Sequence, residues 1–407
     1  MKNIVKEPKK LPAIICIALL ASLLAACSSN AGATGPTSNA TTILPAASPT
    51  SATTNKTGTS SSTPVTNVTN TGSSTPKNPP TPIKVIRMVN QVGWAITKNA
   101  IIRTTDYGNT WQDVTPTTAL GADASGDFVD GNNAWVAYTY GGNTIHIDHT
   151  SDGGQSWQKY ATTEPSPAVL DPPHFLNNQE GWLEVSINGG PGAGQEMVDI
   201  LHSLDGGQTW QRVNRPPNDG MKNGISFKDS QNGWATGNDA SNGAWLYVTH
   251  NGGQSWQQQT LPNLPGAGSA AAFYKTTPPV FFGNYGELPV YIYNAGPNSQ
   301  GMLLYKTNDG GQTWTTDFPT NHAALDQGYP DGLYILNRNY AWTNDSQDGT
   351  FRMTDSAGLV WINEATVNLV HGISFIDTAN GFALGQTRLL RTTDGGQHWH
   401  VQNYTIQ

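Results

Sequence analysis

Two cysteines in 407 residues exclude a disulfide framework: Cys16 lies inside the single long apolar run and Cys27 directly behind it. Charge is also scarce, at 12% of the chain, and neither heptads nor amphipathic helical periodicity stands out. GxSxG, HExxH, P-loop and Rossmann glycine patterns are all missing, so the familiar hydrolase, metalloprotease and nucleotide-binding signatures are out. What the chain has instead is 44 Gly, 26 Pro, 13 Trp and 14 Tyr, the composition of many short strands joined by turns. A chain of this length could hold two or three domains, and only its repeats can decide the number.

The apolar run, LPAIICIALLASLLAA, follows Lys9 and Lys10; it is short for a membrane span and right for the hydrophobic region of a secretory signal. It ends in Leu24-Ala25-Ala26-Cys27, which resembles the lipobox of bacterial lipoproteins. The resemblance implies that residues 1–26 are removed and that Cys27 becomes a lipid-bearing N-terminus, anchoring the chain to the extracytoplasmic face of a membrane in the cell envelope. The alternative is a plain secretory signal with an incidental cysteine. Taking the four lysines and one glutamate of residues 1–26 from the 21 basic and 29 acidic residues leaves 17 and 28, a net charge of −11. That balance argues against a nucleic-acid partner, which needs a cationic stripe.

Residues 27–82 read as a disordered tether. From Ser28 to Pro82, 49 of 55 residues are Ser, Thr, Asn, Pro, Ala or Gly and none is aromatic, too little apolar surface to offset the chain entropy of folding. A coil of that length spans roughly 40 Å end to end. A glycosylated stalk is the alternative reading of the same composition.

From residue 83 to 407 one octapeptide recurs seven times: TTDYGNTW (Thr104–Trp111), TSDGGQSW (Thr150–Trp157), SLDGGQTW (Ser203–Trp210), THNGGQSW (Thr249–Trp256), TNDGGQTW (Thr307–Trp314), TDSAGLVW (Thr354–Trp361) and TTDGGQHW (Thr392–Trp399). The tryptophans step by 46, 53, 46, 58, 47 and 38 residues, the period of propeller blades. Upstream of each copy a large residue is followed seven positions later by an aromatic: Phe128 and Trp135, Phe175 and Trp182, Phe227 and Trp234, Phe375 and Phe382, with Tyr274 and Phe281 in the fifth repeat, Ile335 and Trp342 in the sixth, and Arg87 and Trp94 as a looser first copy. The pair marks strands A and B and the octapeptide the turn from C to D, which predicts an all-β, seven-bladed β-propeller of four-stranded blades. The carboxylates Asp106, Asp152, Asp205, Asp309 and Asp394 are expected to accept hydrogen bonds within their own turns, Asn251 to stand in for one of them, and Trp111, Trp157, Trp210, Trp256, Trp314, Trp361 and Trp399 to pack between blades. One carboxylate per turn falls short of the six to eight oxygens of a calcium site, so no metal and no cofactor is expected.

The pattern S/T-x-D-x-G-x-S/T-W resembles the Asp-box, or BNR repeat, of sialidases, xyloglucanases, sortilin-type receptors and the photosystem II stability/assembly factors, and covers nearly all of residues 83–407. The assembly factors are the most similar in size and blade number. Their resemblance implies a binding or scaffolding propeller with an arginine-rich partner surface, whereas this region carries eight arginines.

The resemblance to glycosidases implies a different use: a glycoside hydrolase with two facing carboxylates about 5–10 Å apart, for which Asp171, Glu184, Asp199 and Glu287 are the candidates. The motif speaks for fold more firmly than for activity, and the chain reads first as a non-enzymatic, monomeric binder of a protein or a glycan. Strand-B aromatic to octapeptide Trp runs 17, 22, 28, 22, 33, 19 and 17 residues, which predicts enlarged B–C loops in repeats three and five. Those loops, Asn188 to Glu196 and Gly283 to Gln300, are expected to carry recognition through Glu196, Tyr285, Glu287, Tyr291 and Tyr293.

Overall fold

The computed structural model describes residues 82–407 apart from 117–119, 122, 141, 168, 188–194, 240–242, 266–271, 294–300, 317–329, 346–348, 367–371 and 386. The expected signal segment, Cys27 and the tether therefore lie outside the described residues, as do residues 188–194 and 294–300 of the two loops expected to be enlarged. Every regular element described is a β-strand, and the strands form seven antiparallel blades at 83–113, 125–163, 169–212, 221–258, 273–315, 330–366 and 373–401, one per octapeptide. In blade 1, strand A is Ile83–Val89, B is Val92–Thr97, C is Ile101–Thr104 and D is Thr110–Asp113, hydrogen-bonded in that order. The A strands of neighbouring blades touch one another, which places them innermost.

Sequence dictates how blades adhere. Strand-B tryptophans lie flat on the strand-A phenylalanine of the next blade: Trp94 on Phe128 (5.7 Å between centroids), Trp135 on Phe175 (4.0 Å), Trp182 on Phe227 (3.8 Å) and Trp342 on Phe375 (3.7 Å), with Trp234 on Phe281 tilted (4.7 Å). Octapeptide tryptophans meet these pairs edge-on, as Trp157 does Trp94 and Trp314 does Trp234. Such contacts add about 0.5–1.5 kcal/mol each beyond the area they bury. The aromatic periodicity read within a repeat is thus an adhesive between repeats.

The octapeptide turn is held from two sides. Asp152 accepts Ser156 N (2.9 Å) and Ser156 Oγ (2.6 Å), and these bonds hold its carboxyl down at about 2. Asn251 accepts Ser255 N (2.9 Å) with its oxygen and donates to Ser255 Oγ (2.9 Å) with its amide, so the exchange reverses one bond and loses none. In the sixth copy Ser356 Oγ accepts Val360 N (3.0 Å). The opening Thr or Ser is the buried hub: Thr150 Oγ1 accepts Gly154 N (2.9 Å) and donates to Asp152 (2.8 Å). In each blade one N–H of this turn donates to the A–B turn beside it: Tyr107 to Gln91, Gly153 to Asn132, Gly206 to Gln179, Gly252 to Gln231, Gly310 to Asn284, Ala357 to Asn339 and Gly395 to Ala379. Their positive φ suits glycine, and Tyr107 (58°) and Ala357 (53°) adopt it regardless. Both turns therefore share one face of the disc, leaving the B–C loops to the other.

Three expectations are corrected. Strand A of blade 5 comes in two pieces, Phe273–Thr276 and Val280–Phe282, and B is Tyr285–Tyr293, with Phe281 opposite Gly286. Phe281 is thus the strand-A residue, equivalent to Phe227 opposite Gly233, and Glu287 takes the place of the strand-B tryptophan. In blade 1 Met88, opposite Gly93, fills that strand-A position in place of Arg87. Both blades close A to B with two-residue turns, Asn90-Gln91 and Gly283-Asn284, one residue tighter than a fixed spacing of seven allows. The apparent enlargement of the B–C connection in repeat five was inflated accordingly.

Two features lay beyond the repeat pattern. Strand B of blade 4 pairs with strand A of blade 5 (Asn238 with Lys275), lacing those blades into one eight-stranded sheet. The C-terminal strand Thr405–Ile406 adds in parallel to strand D of blade 1, with Gln407 N on Trp111 O (2.8 Å) and Tyr404 edge-on to Trp111. Together with Met88 N on Ser374 Oγ (2.9 Å) between the first and last inner strands, it closes the ring.

Candidate functional site

Charged and aromatic side chains gather at the B–C ends of blades 2 to 5. In blade 2 the Tyr138 hydroxyl donates to buried Asp148 (2.9 Å), His146 stacks on the Tyr138 ring, and Tyr140, half exposed, stands edge-on to both. Burial, then the Asp148 charge, pushes the Tyr138 hydroxyl far up, so it acts as a fixed donor. Between blades 2 and 3, fully buried Asp199 accepts Arg215 Nε (2.5 Å) and Nη2 (3.1 Å), Arg212 Nε lies 3.2 Å away, and Arg212 reaches on to Glu164 (2.5 Å). Against the cost of burial, Arg215 holds the Asp199 carboxyl below its usual range.

Where blades 3 and 4 meet, Asp171, just past the short strand Val169–Leu170, donates its N–H to the carbonyl of strand-B Glu184 (3.3 Å), and the Glu184 carboxyl is buried with one oxygen, Oε2, lacking a hydrogen-bond partner among the described residues. Burial, reinforced by the Asp171 charge, raises the Glu184 carboxyl well above its ordinary value, which disfavours its charged form. Glu196 is buried and accepts Lys222 N (2.8 Å). The Lys222 ammonium donates to the carbonyls of Asp219 (2.9 Å) and Gly220 (3.0 Å) and lies 4.3 Å from the Trp245 ring centre, whose Nε1 donates to Asp219 (3.2 Å).

The residues expected to carry recognition are placed differently. Tyr285, Glu287, Tyr291 and Tyr293 belong to strand B of blade 5, not to a loop. Tyr291 is buried with Met302, Leu304, Ala341 and Trp361 between blades 5 and 6, and Tyr293 packs against the same cluster. Glu287 is 1% exposed, accepts the Tyr285 hydroxyl (2.5 Å), and is pushed by burial up to about 7. Glu196 pins the end of its loop to blade 4 instead of facing solvent. Tyr140, Arg215, Lys222 and Trp245 escaped the sequence reading because their grouping is made by neighbouring strands and blades. A usable signal was the pair Tyr138 and Tyr140 at the B–C end of strand B in blade 2, a spacing that Tyr291 and Tyr293 repeat at the same end in blade 5.

Of the four acids proposed as a catalytic pair, Asp199 is held by arginines, Glu287 is enclosed beside Tyr285, and Glu184 is buried beside Asp171 with its charged form disfavoured. No cluster of three or more His, Cys, Asp or Glu suited to a metal occurs among the described residues.

Fold and face together define a closed, seven-bladed β-propeller with a rigid turn face and a chemically varied opposite face. No protein-family model matches the chain. Over 283 residues it is 24% identical to a xyloglucanase of Paenibacillus sp, a match covering 60% of this chain and 25% of that enzyme. Over 278 residues it is 26% identical to the photosystem II assembly lipoprotein Ycf48 of Synechococcus sp. (strain CC9902), covering 64% of this chain and 70% of that one. The chain thus spans a quarter of the first relative and more than two thirds of the second.

Among solved structures, Ycf48 bound to D1 peptide superposes with a TM-score of 0.52 at 20% identity, covering 78% of this chain and 96% of that one. The GH74 xyloglucanase of Xanthomonas campestris gives 0.54 at 12% identity, covering 80% and 55%. At these identities the likeness is one of fold, and it is to propellers of both a binding and a hydrolytic kind.

Proposed function

We propose that this chain is an envelope lipoprotein whose propeller binds a protein partner on its B–C face without catalysing a reaction. The observation that carries the reading is the setting of the acids: Asp199 is held by arginine, Glu184 and Glu287 are enclosed where burial disfavours their charged form, and the face around them presents Tyr140 and Met221 half exposed. A rigid aromatic beside fixed polar groups is the makeup of a protein-binding surface. The peptide held by a protein of this fold supports a peptide or protein over a glycan. Cys27 would supply the anchor and residues 28–82 the reach.

Similarity to a xyloglucanase favours hydrolysis as the second reading. The test is a pair of assays on the full chain. Reducing-end release from xyloglucan should stay at background, and the wild-type protein should partition into detergent while Cys27→Ser is released or stalls with residues 1–26 still attached; steady sugar release, or wild-type protein with an unmodified Cys27 by mass spectrometry, would overturn the reading.

A further inference from the structure

Five of the seven blade junctions share one plan; the junction of blade 7 with blade 1 replaces the pair by Phe382 and Met88, and the junction between blades 5 and 6 departs further. Five junctions place a tryptophan of strand B against a phenylalanine of the next strand A. At the blade 5–6 junction the two positions hold Glu287 and Ile335, as the pairings Phe281 with Gly286 and Ile335 with Ala341 show. Neither residue brings a ring. Between the inner strands of these blades lies a cleft of about 300 Å³, lined by Lys275, Val280, Pro289, Tyr291, Leu333 and Ile335 among others.

Its walls join the apolar faces of Val280, Pro289, Leu333 and Ile335 to the polar Thr277 and to one charge, the Lys275 ammonium, which lies 5.7 Å from the centre of the Tyr291 ring. Val280 stands opposite Glu287, so one end of the cleft reaches the level at which the missing pair would stack. Its volume is at the small end for ligand sites and ample for one aromatic ring with a short polar appendage. Lys275 is directly opposite Tyr291 on the paired strand, so a cation sits at one side of a slot that carries no second charge among the described residues, in a protein of net negative charge.

We propose that this cleft receives an aromatic side chain of a bound peptide, the ring taking the place of the absent stack and a carboxylate beside it meeting Lys275. The inference rests on the protein-binding reading and adds to it the chemistry of the recognised segment: an aromatic residue next to an acidic group, or at a free C-terminus. A neutral or basic neighbour would leave Lys275 without a counter-charge in a partly desolvated position, which is how the site discriminates.

The probe is phenylpropionate, a ring carrying one carboxylate, compared with its uncharged amide on the full chain by saturation-transfer NMR and by a soaked crystal. For a fragment of this size a dissociation constant on the order of 1 mM is expected. Lys275→Ala should weaken the acid roughly tenfold and leave the amide unchanged, the loss of one charge-assisted contact. Val280→Trp should fill the slot and abolish both; if that variant does not fold, the acid-against-amide contrast in Lys275→Ala decides alone.

The ring should be seen between Pro289 and Ile335. No binding, equal binding by acid and amide, or a ring located elsewhere overturns the proposal. The proposal then falls alone if a partner still depends on Tyr140, whereas xyloglucan hydrolysis by protein that does bind phenylpropionate in the cleft would sink the functional reading alone.

Discussion

A hydroxyl, more than a carboxylate, organises the octapeptide turn. Thr307 Oγ1 is buried and accepts Gly311 N (2.9 Å) and Asp309 N (3.3 Å), while Asp309 stands at the surface with bonds that Asn251 reproduces elsewhere. Thr307→Val should therefore cost about 1–3 kcal/mol, since it strands a buried N–H, while Asp309→Asn should stay within about 0.5 kcal/mol. Urea unfolding of the two variants checks the order.

Glu287 makes a second residue-scale prediction. Its folded carboxyl titrates near 7 against an ordinary value of 4.5, so between those limits the unfolded chain releases a proton that the folded chain keeps. Stability should fall as pH rises through that window and level off above it, by on the order of 3 kcal/mol at most. Glu287→Gln should flatten the profile between pH 5 and 8 in denaturant melts. An unchanged slope would mean that the carboxyl is ionised throughout.

Among the elements, the C-terminal strand bears on ring closure. Deleting Asn403 to Gln407 removes the Tyr404 contact and two backbone bonds to strand D of blade 1, leaving Trp111 on an open edge. A loss of about 2–4 kcal/mol is expected, read as a lower melting temperature with greater aggregation; melting at the full-chain temperature would show that the inner strands close the ring unaided.

The elements also show how far the sequence could be read. Seven octapeptides specified seven C–D turns because each turn is made almost entirely from its own residues. Blade 5 was misread because the two cues used to locate its strands, a tryptophan on B and a fixed A–B spacing, were both altered there, by Glu287 and by the two-residue turn Gly283-Asn284. The pairing of Thr405 with Thr110 had no local signature, since it joins the two ends of the propeller. For the same reason the grouping of Asp199 with Arg212, Arg215 and Glu164 was illegible: each residue is unremarkable in its own repeat, and adjacency of blades supplies the chemistry.

At the scale of the molecule, the disc divides labour between its faces. One is knit by seven equivalent bonds between the C–D and A–B turns. The opposite face is free of that constraint and holds the unlike side chains of blades 2 to 5. The central claim is that a protein partner is recognised there, and the most direct measurement is the affinity of the full chain for its captured envelope partner in two variants. Tyr140→Ala with Met221→Ser alters the B–C face and Leu204→Ser alters the turn face, all three residues being exposed. A buried aromatic anchor commonly carries about 2 kcal/mol, so the first variant should weaken binding at least roughly tenfold and the second should leave it unchanged. Equal affinity in the first variant, or loss only in the second, would contradict the account.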